Sequence, residues 1–67
     1  MFIPNYNMPT DKGNLAVFEM VQTAKVYGVS KENVHKSLQQ LAEQGGEYAQ
    51  ANSAEVLAVV DAELGFQ

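Results

Sequence analysis

A chain of 67 residues with no cysteine and a single histidine makes one domain at most, and it excludes both a disulfide framework and a histidine- and cysteine-bound structural zinc. The net charge is −4 with no arginine at all, an unfavourable balance for a protein that must hold a polyanion. A chain this short buries only about 60% of the surface its unfolded form exposes, so with no disulfide or metal the remaining common stabiliser is oligomerisation, and a homodimer or higher assembly is expected.

Residues 1–9 carry Pro4 and Pro9, which forbid a helix interior, and read as an extended arm with Phe2, Pro4, Tyr6 and Met8 on one side and Ile3, Asn5 and Asn7 on the other. Residues 10–67 form a single helical domain. Helix one is predicted to start between Thr10 and Asn14, where Thr10, Asp11 and Asn14 can each cap, and to end at Tyr27 before Gly28. Its core stripe is Val17, Met20, Val21, Ala24 and Tyr27. Leu15, Phe18 and Val26 fall off that stripe, leaving Glu19, Gln22 and Thr23 as a narrow polar wedge, so the helix is expected to be covered on a second side by another copy. With the arm, the expected dimer interface is Phe2, Ile3, Tyr6, Leu15, Phe18 and Val26.

Helix two is predicted to begin on Ser30 as N-cap, to present Val34, Leu38, Leu41 and Ala42 on one stripe and to stop at Gly45-Gly46. Glu47 to Ala51 can hold one further helical turn. Asn52 and Glu55, three apart, form a capping box for helix three, whose stripe is Val56, Leu57, Val60 and Leu64. The Val59-Val60 pair also suits a strand, but no second strand is available to pair with it. The fold class is therefore all-α: a small three-helix bundle, four if the Glu47 to Ala51 turn extends, with an extended N-terminal arm and a dimeric state.

Catalytic chemistry has few candidates. His35 is the only imidazole, and Ser37, two residues on, faces elsewhere on the helix. Glu32 and His35 form a Glu-x-x-His pair of the kind used in di-iron bundles, with Glu19 as the notional bridging carboxylate. At ~1.5 Å rise per residue, Glu19 lies roughly 12 Å and Glu32 roughly 3 Å from the level of the Gly28 turn, so the groups do not meet. Asp61 and Glu63, two apart, point to different sides of their helix, and Gly45-Gly46 lacks the lysine of a phosphate cradle. No enzyme activity, metal or cofactor is expected.

Charge is unevenly placed. Lys12, Lys25, Lys31 and Lys36 all precede residue 37 and, set against Asp11, Glu19 and Glu32, leave residues 1–36 at +1. Glu43, Glu47, Glu55, Asp61 and Glu63 leave residues 37–67 at −5. The anionic half suits docking on a cationic protein, with Glu55, Asp61 and Glu63 as the partner-binding candidates. No apolar run approaches the ~18 residues of a membrane span and no basic signal-peptide region opens the chain, so no membrane association and a cytoplasmic location are expected.

One segment supports a different function. Gly28-Val29-Ser30-Lys31-Glu32-Asn33-Val34-His35-Lys36-Ser37-Leu38 resembles the hairpin and recognition helix of helix-turn-helix and winged-helix repressors, with Ala24, Gly28, Val29, Val34 and Leu38 at the matching spacings. The order of arm, helix, Gly-x-Ser turn and helix also resembles ribbon-helix-helix repressors and antitoxins. That second resemblance implies an obligate dimer with Asn5 and Asn7 toward base edges and the Ser30 helix start on a phosphate, flanked by Lys31, His35 and Lys36. Pro4 and Pro9 interrupt a ribbon that needs its backbone donors. Three lysines near the turn also work against the acidic remainder of the molecule. The leading reading is thus a non-enzymatic acidic helical protein that acts by homo-oligomerisation and docking on another protein, similar in type to the small modulator proteins of phages and plasmids. A small dimeric DNA-binding regulator or antitoxin is the alternative.

Overall fold

The computed structural model describes residues 12–66, and within them the chain is all-helical: α1 Lys12–Tyr27, α2 Lys31–Glu43, a single 3₁₀ turn at Gly46–Tyr48, and α3 Ala54–Leu64. No strand occurs among the described residues, and the space between α2 and α3 holds only that 3₁₀ turn, so the bundle has three helices and not four. The expected arm, residues 1–9, lies outside the described residues. So do Thr10 and Asp11, two of the three proposed caps of α1.

The helix boundaries follow from local chemistry. The Ser30 hydroxyl accepts the Asn33 backbone N–H and starts α2, as its sequence position predicts. At α3 the cap is Ser53, whose hydroxyl accepts the Val56 N–H, and not Asn52. The Asn52 to Glu55 spacing is right for a capping box, but Ser53 holds the same relation to Val56, and the chain enters its helical path one residue later. Asn14 is likewise no cap. It lies inside the first turn of α1 at 2% exposure.

Two helices end in the same way. After Tyr27, Gly28 adopts φ +67° and the Val29 N–H reaches back to the Ala24 carbonyl at 3.2 Å. After Leu64, Gly65 adopts φ +74° and the Phe66 N–H reaches the Asp61 carbonyl at 2.8 Å. These are Schellman-type closures, in which a left-handed residue lets the chain satisfy terminal carbonyls while the next, apolar residue folds back onto the helix. Val29 and Phe66 are those apolar residues, and both pack against the core.

The core is Val17, Val21 and Ala24 of α1, Val34 and Leu38 of α2, Val56 and Val60 of α3, and Ala51 from the connecting segment, with Met20, Leu41, Ala42, Leu57 and Leu64 around it. Helix α1 is the central member: it packs against α2, α3 and the 3₁₀ turn. Tyr27, expected on the core stripe, is 78% exposed instead. It is the last residue of α1 and lies about 60° from Ala24 on the helical wheel, at the edge of the buried stripe. Alternation at Val59-Val60 follows the helical period, with Val60 fully buried and Val59 at the surface.

The topology sets which charges meet. Lys25 near the end of α1 contacts Glu63 near the end of α3, so these helices run in the same direction, while His35 near the start of α2 contacts Asp61 of α3, so α2 runs opposite. The radius of gyration is 10.6 Å, close to the roughly 10–11 Å of a well-packed chain of this size. No helix of the described residues is long and apolar enough to cross a membrane.

Candidate functional site

The chemistry-bearing side chains gather at the end of the bundle that holds the Gly28 turn. There His35 Nε2 donates to Asp61 Oδ1 at 2.6 Å, with both side chains largely covered. Lys25 Nζ donates to Glu63 Oε1, also at 2.6 Å, in a more exposed setting. Asp61 and Glu63 do point to different sides of α3. One side holds α2 and the other α1, so each acid finds a cation or imidazole donated by a different helix.

This arrangement answers a local problem in α3. Its last turns carry two carboxylates and no basic residue, which places negative charge at the negative end of the helix dipole. Lys25 opposes that charge from outside the helix, and the His35 ring N–H bonds to the Asp61 carboxylate. Of the three acids singled out as partner-binding, only Glu55, exposed in the first turn of α3, has no such partner among the described pairs.

A second feature is the outer face of α1. Leu15, Phe18, Gln22 and Val26, at spacings of three, four and four, form one stripe turned roughly 140° from the Val17, Val21 and Ala24 stripe at about 100° per residue. Leu15 is 45% and Val26 75% exposed, with Phe18 and Gln22 half-buried. The second apolar side expected of α1 is therefore present in the fold. The remaining members of the expected interface, Phe2, Ile3 and Tyr6, lie outside the described residues.

The residues of the nucleic-acid alternative sit on α2. Lys31, His35 and Lys36 line one open, shallow depression together with Glu32 and Gln39. Its electrostatics are mixed, because Glu32 lies within it and the His35 imidazole is bonded to Asp61. The Ser30 hydroxyl is occupied in capping α2. Asn5 and Asn7 are outside the described residues.

As chemistry, the imidazole and carboxylate of His35 and Asp61 bridge two helices, and among the described residues no hydrogen bond joins a nucleophile to them. Ser37 is on the same helix but a different face. No group of three or more His, Cys, Asp or Glu side chains that could hold a metal occurs among the described residues. The signal for the His35 to Asp61 contact is absent from either helix alone, since it depends on α2 and α3 running antiparallel at the same level. Comparison of the chain with known protein families, with curated proteins and with solved structures finds no match in any of the three.

Proposed function

We propose that this chain is a non-enzymatic interaction protein that self-associates through the outer face of α1 and docks on a partner protein. The observation that carries this reading is the apolar stripe Leu15, Phe18 and Val26, its two ends exposed and Phe18 half-buried, on the helix that already supplies the centre of the core. A small protein gains by covering such a stripe, because each large apolar side chain removed from water contributes about 1.5–3 kcal/mol when fully buried. Docking on a cationic partner draws on the acidic end of the bundle, where Glu43, Glu47 and Glu55 face solvent, more than on Asp61 and Glu63, which are engaged within the chain.

Size-exclusion chromatography with light scattering tests the self-association. The parent should run as a dimer at micromolar concentration, and Val26→Asp should run as a monomer with an unchanged helical spectrum, since Val26 supports nothing in the core. A monomeric parent at millimolar concentration would sink the reading.

The clustering of Lys31, His35 and Lys36 in one depression supports the second reading, a DNA-binding regulator. Salt-sensitive retention on a short duplex at near-physiological ionic strength, lost in Lys31→Ala and Lys36→Ala with a fall in salt slope of about one unit each, would favour it. We expect no retention, because Glu32 lies within that depression and its His35 is bonded to Asp61.

A further inference from the structure

Resting on the self-association proposed above, we infer that two copies pair α1 against α1 in antiparallel orientation, with the twofold axis passing beside Gln22. Two independent observations carry the geometry. The first is the composition of the stripe: Gln22 is the polar residue at its middle, with Phe18 one turn before it and Val26 one turn after, and exposed Glu19 and Lys25 border it on either side. A pairing that sets Gln22 against Leu15, Phe18 or Val26 presses an amide against an apolar side chain and costs it hydrogen bonds to water. On a twofold axis each Gln22 amide donates an N–H to the carbonyl oxygen of the other, and both are satisfied. A single polar residue in an apolar seam is a known device for specifying register.

Gln22 meets Gln22 in a parallel pair as well, and the second observation separates the two. Charge is unequal at the ends of the bundle. Among the described residues the end opposite the Gly28 turn holds Lys12, Glu43, Glu47 and Glu55, a net −2, whereas the turn end holds Lys25, Lys31 and Lys36 against Glu32, Asp61 and Glu63, a net of zero. Parallel pairing brings the two acidic ends side by side. Antiparallel pairing sets each acidic end beside the neutral end of the other copy, which removes that repulsion and adds Lys25, Lys31 and Lys36 as nearby cations. The order of the seam then follows: Phe18 lies level with Val26 of the second copy, and Leu15 lies level with its Gly28 turn.

The absence of cysteine from the chain makes the test direct. Single variants Gln22→Cys, Leu15→Cys and Val26→Cys are purified, checked by light scattering under reducing conditions, then oxidised and run on a nonreducing gel. Antiparallel pairing about residue 22 puts the two Leu15 positions about 21 Å apart and the two Val26 positions about 12 Å apart along the helices. A disulfide needs Cα atoms within about 7 Å. The Gln22→Cys protein should therefore convert to a covalent dimer, and the other two should not. Linkage of Leu15→Cys and Val26→Cys as readily as Gln22→Cys means parallel pairing and overturns the inference while self-association stands. A dimer in which none of the three links is joined elsewhere, and also overturns it. A parent that is monomeric at millimolar concentration overturns both.

Discussion

At the scale of single residues, stability is concentrated in a few side chains. Leu38 is the largest fully buried one, placed on α2 where it meets the stripes of α1 and α3. Leu38→Ala should cost about 2–5 kcal/mol, the range for a buried leucine that leaves a cavity, and in so small a domain that is enough to abolish a cooperative thermal transition. A variant that melts like the parent would mean that α2 is misplaced. The caps make a sharper comparison. Ser53→Ala removes the acceptor for the Val56 N–H and should lower stability by about 0.5–2 kcal/mol, whereas Asn52→Ala should leave the denaturant midpoint unchanged. Gly28 stands at φ +67° in open space, so a side chain there meets strain and no clash. Gly28→Ala should cost about 1–2 kcal/mol, read from the same titration.

At the scale of helices, α3 is held by two polar contacts of different character. The His35 to Asp61 bond is largely covered, and a hydrogen bond to a charged group in such a site contributes about 1.5–3 kcal/mol, less what residual solvent screens. The Lys25 to Glu63 pair is about 40% exposed on both sides and belongs with surface ion pairs worth about 0–1 kcal/mol. Double-mutant cycles with alanine should therefore give a larger coupling for His35 with Asp61 than for Lys25 with Glu63. Raised salt should erase the second and leave most of the first. Equal couplings with equal salt dependence would show that burial does not separate them. Both contacts lie at the turn end of the bundle, so the opposite end of α3 depends on Ala51, Val56 and the Ser53 cap.

At the scale of the whole molecule, the question is what the protein does with the surface its small core leaves over. The proposed self-association would link folding to concentration: the melting temperature of the parent should rise with protein concentration, and that of Val26→Asp should not. The acidic end provides a separate handle. Charge reversal at Glu55, an exposed residue outside the core, should slow association with a cationic partner protein and blunt its salt dependence, with only the small loss of stability that follows from placing a cation in the first turn of α3. Removing Asp61 instead disturbs the contact with His35, so its effect on binding carries a larger stability component than that of Glu55.

Much of this architecture is written in local pattern. Period and punctuation alone place all three helices, because Gly28 and Ser30 bracket a turn whose chemistry is complete within a few residues. The apolar stripes of α1, α2 and α3 are legible for the same reason, and so is the second apolar face of α1. The choice of Ser53 over Asn52 is not legible, since both offer a capping oxygen and only the path of the chain into the helix decides between them. Nor is the exposure of Tyr27, which lies at the edge of the core stripe in the last position of α1. The pairing of His35 with Asp61 and of Lys25 with Glu63 joins residues 26 and 38 positions apart. Sequence alone shows a cationic half and an anionic half. Only the antiparallel course of α2 and the parallel course of α3 against α1 bring those halves together, so that Asp61 and Glu63 are engaged within the chain while Glu43, Glu47 and Glu55 face solvent.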